Sequence, residues 1–218
     1  LADPPPPSWS GTGVDIRFVG EETSPDEAHG PGITYVVDPL DGTANFLHGY
    51  PWYAVSIAAL VDGELVAGVV HNVATGDVFS AFHGGGARLN DRRIHVSSID
   101  DPARALIGTG LPFKYHEHVE PYMRSLPRLL RSTAGIRRAG SASLDLCDVA
   151  CGRFEAFWEL RLSPWDVAAG MLIVREAGGL VTDLDGRDAE VALGPVVAGN
   201  PAMHEWLLDV LRDEGTTL

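Results

Sequence analysis

The chain has 218 residues, 45% of them hydrophobic, enough to bury a substantial core, and its 30 acidic against 16 basic side chains leave a net charge of −14. Such a surface argues against nucleic acid as a partner, because its phosphates carry the same sign. The longest apolar run, Trp52 to Val61 with Ser56 inside it, is shorter than the ~20 residues that cross a bilayer, and no charged start with an apolar segment behind it reads as a signal peptide, so a cytoplasmic protein with no membrane partner is expected.

The opening, LADPPPPSWSGTG, reads as a stiff loop following a helix, so residues 1–15 are expected to be the remnant of a start that lies upstream. GEET at 20 to 23 is a loop that offers Glu21, with Glu22 beside it. A short strand at Ile33 to Val37 comes next, then strands at Val55 to Val61, Glu64 to Asn72 and Asp77 to Phe82, joined by DG and ATG turns into an antiparallel meander. Residues 116 to 131 carry Val119, Met123, Leu126, Leu129 and Leu130 at helical spacing, interrupted at Pro127. Clearer helices are expected over Ser141 to Cys151 and Asp166 to Ala177, the second opening at Ser163-Pro164 and closing at Gly178-Gly179. Phe154 to Leu160 and Val196 to Ala198 read as strands, and Ala202 to Leu211 as a last amphipathic helix. Interleaved strands and helices behind a meander make the class layered α/β or α+β. One domain is expected over 1–218, with 16–100 holding the strand-turn and meander and 101–218 the α/β part. Cys147 and Cys151, four apart on one helix face, read as core thiols rather than a disulfide or a zinc pair.

The stretch VVDPLDGTANF at 36 to 46 is an apolar strand that ends on two carboxylates. Asp38 closes the strand, Pro39 fixes the next torsion, and Asp41 follows after one turn, so both acids can aim at one point, as a hard divalent cation requires. Gly42 lets a ligand approach the backbone, and Thr43 sits where it can cap a short helix whose free N–H groups would receive a phosphate. An ordinary P-x-D-G turn with a threonine cap accounts for the same residues. SPWDVAAGMLIVREAGG at 163 to 179 places Asp166 in the first turn of a helix, where dipole compensation alone explains an acid, and Glu21 taken singly is a solvated loop acid.

Together the GEE loop, the DPLDGT strand-turn and the WDVAAG helix start resemble the inositol monophosphatase family of Mg²⁺-dependent, lithium-sensitive sugar-phosphate phosphatases, over about Arg17 to Leu211 and in the same order. The resemblance implies a layered αβαβα sandwich, usually preceded by two helices and a mobile loop that this sequence lacks, and a homodimer. It implies Glu21, Asp38, Asp41 and Asp166 as metal-binding carboxylates, the Leu40 carbonyl as a further ligand, and Gly42 and Thr43 on the phosphate-binding turn. Two or three Mg²⁺ are implied, with Mn²⁺ as a substitute. Four converging carboxylates repel by roughly 4 kcal/mol per adjacent pair at 4 Å in an effective dielectric near 20, so such a cluster requires cations.

A phosphoric monoester hydrolase of the inositol-phosphate type is the implied activity, with Glu21 and Thr43 orienting and deprotonating a water, and Asp41 essential. The segment GSASLD at 140 to 145 and Glu159, seven before Asp166, resemble the part that meets the ring of the substrate. This adds Gly140, Ser141, Ala142, Glu159 and Asp166 as substrate-binding residues, although Ser141 is equally placed to cap a helix. Histidinol phosphate, fructose 1,6-bisphosphate and adenosine 3′,5′-bisphosphate are rival substrates, and a non-catalytic, metal-holding interaction protein is the alternative of another class. HGGGA at 83 to 87 lacks the G-x-S-x-G partner of a serine hydrolase and reads as a flexible hairpin turn. DLDGRD at 183 to 188 lacks the glutamate of a calcium loop and reads as a D-G turn, and HEH at 116 to 118 as a solvated helix start.

Overall fold

The computed structural model describes residues 16–21, 31–113 and 115–215. The PPPP segment at 4 to 7 and Glu22 lie outside these.

Strand β1 (Ile16–Gly20) runs parallel to β2 (Ile33–Asp41), and β3 (Ala54–Val61), β4 (Glu64–Asn72), β5 (Asp77–Phe82), β6 (Gly86–Leu89) and β7 (Arg92–Arg93) follow antiparallel in sequence order, giving a seven-stranded sheet. Period-two alternation sets its faces: Ala54, Ser56, Ala58 and Leu60 of β3 point inward, while Ile57 and Val61 point out. At the β3–β4 hairpin Asp62 (φ 51) and Gly63 (φ 87) both take positive φ, which closes a two-residue turn whose twist matches the strands. The hairpin between β5 and β6 is not left loose: Glu176 accepts the N–H groups of Gly84 and Gly86, each at 2.7 Å, so the HGGG turn is pinned by a carboxylate from a helix end.

The second sheet contains β8 (Leu106–Thr109), β9 (Gly135–Arg137), β10 (Ala156–Leu162), β11 (Leu180–Thr182) and β12 (Gly194–Gly199), in the order β11-β12-β10-β8-β9. The short α1 (Thr43–Leu47) follows β2; α3 (Ala142–Ala150) and α4 (Pro164–Glu176) lie between the sheets; α2 (Val119–Ser132) and α5 (Pro201–Asp213) cover the far face of the smaller sheet. The protein is thus built as the layered sandwich. Its described residues supply four of the five layers, and the outer face of the large sheet shows Phe18, Ile57, Val61, Val69 and Phe82 to solvent. Strand β3 is apolar on both faces, and its outward residues Ile57 and Val61 are exposed among the described residues. No helix among the described residues is long and apolar enough to cross a membrane.

Two cores follow from the layers. Between the sheets, Leu144, Leu146, Val149, Met171 and Ile173 pack on Val36, Leu60, Val70 and Phe79; beyond the smaller sheet, Trp158, Tyr122, Leu207 and Leu211 form the other. The small residues of WDVAAG make α4 fit. A Cβ on Gly170 would stand 2.7 Å from Leu146 Cδ1, and one on Gly68 of β4 would stand 3.0 Å from Ala169 Cα, so helix, neighbour helix and sheet meet at near-contact distance.

Some expectations shift. Pro127 does not interrupt α2, which continues through it to Ser132 because Tyr122, Ser125 and Leu129 are buried on one face and hold the turn that the missing N–H weakens. HEH at 116 to 118 is a 3-10 turn ahead of that helix. Cys147 is buried, Cys151 half-buried, and both are free thiols. Strands β6, β8, β9 and β11 carry no separate sequence expectation; they have three or four residues each, too few for a period to register.

Candidate active site

Asp38 does not close its strand. Strand β2 continues to Asp41, and its pairing with β3 shifts from Asp38 opposite Ser56 to Asp41 opposite Ala54. Three residues on one strand therefore oppose two on the other. In a regular strand residues three apart face opposite sides, and the extra residue of this bulge returns Asp41 to the side of Asp38. Convergence of the two acids thus holds, through a bulge rather than a turn. Asp38 Oδ1 accepts the Leu40 N–H at 2.9 Å, which fixes the bulge from within.

Thr43 is not a helix cap. Gly42 occupies the N-cap of α1 at φ 87, where a Cβ would stand 2.9 Å from the Trp52 carbonyl oxygen, so only glycine fits. Thr43 is the first helical residue, and its hydroxyl donates to the Leu40 carbonyl at 3.0 Å, leaving that oxygen one further lone pair.

Asp166 reaches the same place from α4. The Ser56 hydroxyl, opposite Asp38 in the sheet, donates to the Trp165 carbonyl at 3.4 Å and so ties the start of α4 to β3. Asp166 accepts the Ser163 N–H at 2.7 Å on Oδ2, as a carboxylate at the third helical position does in a capping box. One oxygen each of Asp38, Asp41 and Asp166 lie within 4.8 Å of one another.

Ser141 stands at the N-cap of α3, as the sequence allows, but its hydroxyl does not bond to that helix. Its hydroxyl donates to Asp41 Oδ2 at 2.6 Å, and Ser143 donates to that oxygen twice, through N–H at 2.8 Å and hydroxyl at 2.5 Å. Helix α3 is therefore capped by an acid from β2. The N-termini of α1, α3 and α4 all come to the acid cluster.

Magnitudes show how far this goes. A helix end contributes typically about 0.3–1 kcal/mol to a nearby anion, whereas two carboxylates 4 Å apart repel by about 4 kcal/mol at an effective dielectric of 20. The helix ends do not offset the repulsion, and the remaining recourse without a cation is to hold protons. Burial, then Asp41, pushes the Asp166 carboxyl up to about 8, with Asp38 and Glu21 adding to it. Burial also raises Asp41, against the hydrogen bonds from Ser141, Ser143 and the Ala142 backbone.

A cavity of about 410 Å³ opens beside the cluster, with Asp41, Asp166 and Glu21 in its wall. Glu21, exposed just past β1, comes to this cavity without joining the group of three. Gly140, Ser141, Ala142 and Glu159 line it, whereas Gly42 and Thr43 lie outside its lining. Burial, then Asp166, pushes Glu159 up to about 8, with the Arg138 cation acting the other way.

Sequence reasoning missed several residues here. Ser143 holds Asp41. Asp145, fully buried in the cavity wall, has no hydrogen-bond partner for Oδ1 among the described residues, and burial followed by Asp148 and Asp41 holds its carboxyl well above the usual range. Gly110 faces Glu159 so closely that a Cβ would stand 2.0 Å from the carboxyl carbon. The signal for Asp145 was its place one helical turn after Ser141; Gly110, Arg138 and Arg161 carried none.

Comparison with known proteins settles the lineage. The sequence model described as the inositol monophosphatase family matches residues 12–216. The chain belongs to the inositol monophosphatase family. Within that family it is 45% identical over 195 residues to an inositol-1-monophosphatase of Rhizobium meliloti, covering 89% of this chain and 73% of the relative. It is 47% identical over 199 residues to the Nus factor SuhB of Pseudomonas aeruginosa, with the same coverages. The crystal structure of the extragenic suppressor protein suhB from Bartonella henselae matches with a TM-score of 0.83 at 42% identity, over 89% of this chain and 75% of that one. Relatives at this level of similarity thus carry both the name inositol-1-monophosphatase and the name Nus factor.

Proposed function

We propose that this protein is a Mg²⁺-dependent phosphomonoesterase that hydrolyses inositol 1-phosphate or a similar sugar or polyol phosphate. The observation that carries the reading is the approach of Asp38, Asp41 and Asp166 within 4.8 Å, from two elements more than a hundred residues apart in sequence, beside a cavity lined by Glu21 and Glu159. The donors are carboxylate oxygens without cysteine or histidine, the set that suits Mg²⁺ and Mn²⁺. Asp38, Asp41, Asp166 and the Leu40 carbonyl are the residues to hold the ions, with Glu21 at the cavity side.

Bound there, the cations supply Lewis acidity toward the phosphoryl oxygens and acidify a water. The chain's own groups do the rest. Ser141 and Ser143 hold the plane of the Asp41 carboxylate. Glu21 accepts the proton of the attacking water, and Thr43, fixed by its bond to the Leu40 carbonyl, orients that water. The N–H groups that open α1 after Gly42 receive the phosphate oxygens. Gly140 and Ala142 flank the ring, and Glu159 accepts a ring hydroxyl. Attack of the water oxygen on phosphorus breaks the ester P–O bond and leaves inorganic phosphate and the polyol. We place the enzyme in the cytoplasm as a homodimer, which sedimentation of the purified protein would check.

The test is phosphate release with Mg²⁺ from inositol 1-phosphate, histidinol phosphate, fructose 1,6-bisphosphate and adenosine 3′,5′-bisphosphate, with and without chelator. Chelator-sensitive release, fastest on inositol 1-phosphate, is expected. Silence on every ester sinks the reading.

A second reading has a specific basis, because several relatives between 40% and 47% identical are named Nus factor SuhB. Here the protein would hold metal and engage a macromolecular partner without turnover. Calorimetric Mg²⁺ binding without phosphate release would favour it.

A further inference from the structure

The cavity holds two cations that the reaction outlined above leaves without a task. Arg138 and Arg161 both line it. The guanidinium carbon of Arg138 lies 4.9 Å from the centre of the Phe113 ring, and that of Arg161 lies 4.5 Å from the centre of the Tyr115 ring. Neither side chain forms an ion pair or a hydrogen bond with any of the described residues, unlike Arg128, Arg153 and Arg187, which sit against carboxylates at 3.0 Å or less. Stacking on a ring uses the face of a guanidinium and leaves its in-plane N–H donors directed outward, the fork that matches a carboxylate or phosphate.

Their placement is directional. Arg161 and Glu159 both stand on β10 and line the same cavity, in the stretch where the pairing of β10 with β12 shifts register between Glu159 and Leu162. Arg138 acts on Glu159 and on Asp145, lowering both carboxyls, whereas the charges that act most on Asp166 are the acids Asp41, Asp38 and Glu21. The cavity is therefore acidic beside the three aspartates, with Arg138 acting on its Glu159 side and Arg161 in the same wall.

We propose that Arg138 and Arg161 form a second anion subsite, so that the preferred esters carry a further phosphate or carboxylate at the end of the molecule away from the scissile phosphate. The proposal rests on the phosphatase reading and narrows its substrate class. A neutral polyol tail asks only for hydrogen-bond partners, which Glu159 and the backbone supply. An anionic tail gains little from the Glu159 and Asp145 carboxyls, and a cation within its reach supplies the charge-assisted partner it needs. In a chain of net charge −14, two guanidiniums that lie over aromatic rings in the wall of one cavity and pair with no carboxylate among the described residues meet that requirement.

Matched esters test it on the full-length protein with Mg²⁺: sorbitol 6-phosphate against 6-phosphogluconate, which differ by a terminal carboxylate, and fructose 6-phosphate against fructose 1,6-bisphosphate. The expected result is a kcat/KM about tenfold or more higher for the anionic-tailed member of each pair, residing in KM, since a hydrogen bond to a charged group is worth that factor. Arg161→Gln and Arg138→Gln, each checked for an unchanged melting temperature, should each reduce that ratio. Release from all four esters without preference, or a preference that survives in both variants, overturns the subsite and leaves the phosphatase reading standing. No release from any ester overturns both.

Discussion

Ser143, in the first turn of α3, donates its N–H and its hydroxyl to a single oxygen of Asp41, a residue 102 positions earlier in the chain. The acid cluster is thereby built into the joint between a strand and a helix. Removing either partner changes both the helix start and the carboxylate that faces the cavity.

Asp41→Asn keeps the shape and removes the charge. Its amide oxygen can still accept from Ser141 and Ser143, so the fold should survive, with a melting temperature in chelator at or above that of the parent because repulsion in the cluster is relieved. Turnover should fall by about 100-fold or more, since even residues that only orient metal ligands contribute 10–100-fold. Near-normal turnover of the folded variant would refute the assignment.

Protonation makes a separate prediction. The carboxyls of Asp166 and Glu159 stand near 8, above their ordinary values of 3.8 and 4.5. Between about pH 4 and 8 the folded protein binds more protons than the unfolded chain, so metal-free stability should be greatest at the acid end of that window and fall as pH rises through it. Mg²⁺ competes with the same protons and should bind more tightly as pH rises. Melting curves in chelator and in Mg²⁺ at pH 5, 6, 7 and 8 check this: the two sets should diverge toward pH 8, and parallel sets would contradict it.

Asp145→Asn should stabilise the protein. The buried carboxyl has an orphan oxygen, and its raised pKa means that its contribution worsens as pH rises, while an amide is immune. The gain should grow toward pH 8 and shrink toward pH 5, because the amide removes the deprotonation of a buried carboxyl and leaves the unpaired atom as it was. Denaturant melts of both proteins at the two pH values would measure it, and a destabilised variant at pH 8 would count against the argument.

Gly110→Ala should act through Glu159. The new methyl would occupy the position of the Glu159 carboxyl, the far end of a side chain that can turn away, so stability should change little. The KM for a polyol phosphate should rise by up to roughly tenfold, the worth of one hydrogen bond, with kcat much less affected. Gly68→Ala gives the contrast: its methyl would meet the Ala169 backbone at 3.0 Å, and α4 would have to move off the sheet at about 1–3 kcal/mol.

Much of this protein is local and therefore readable from its residues. The meander, the helices over Ser141 to Cys151 and Asp166 to Ala177, and the last helix arise from period, turn chemistry and capping within a few neighbours, and the acids Asp38, Asp41 and Asp166 stand out by the spacing of DPLDGT and WDVAAG. Long-range contact decided the remainder. A bulge, visible only once β2 is paired with β3, turns Asp38 and Asp41 to one side; the hydroxyls of Ser141 and Ser143 serve Asp41 instead of their own helix; and Gly110 stands against Glu159. Helix capping is a competition among nearby acceptors, and a charged oxygen delivered by another strand outbids a neutral hydroxyl in the same segment. For that reason the sequence determined which groups are present, and only the tertiary structure decided which of them face one another.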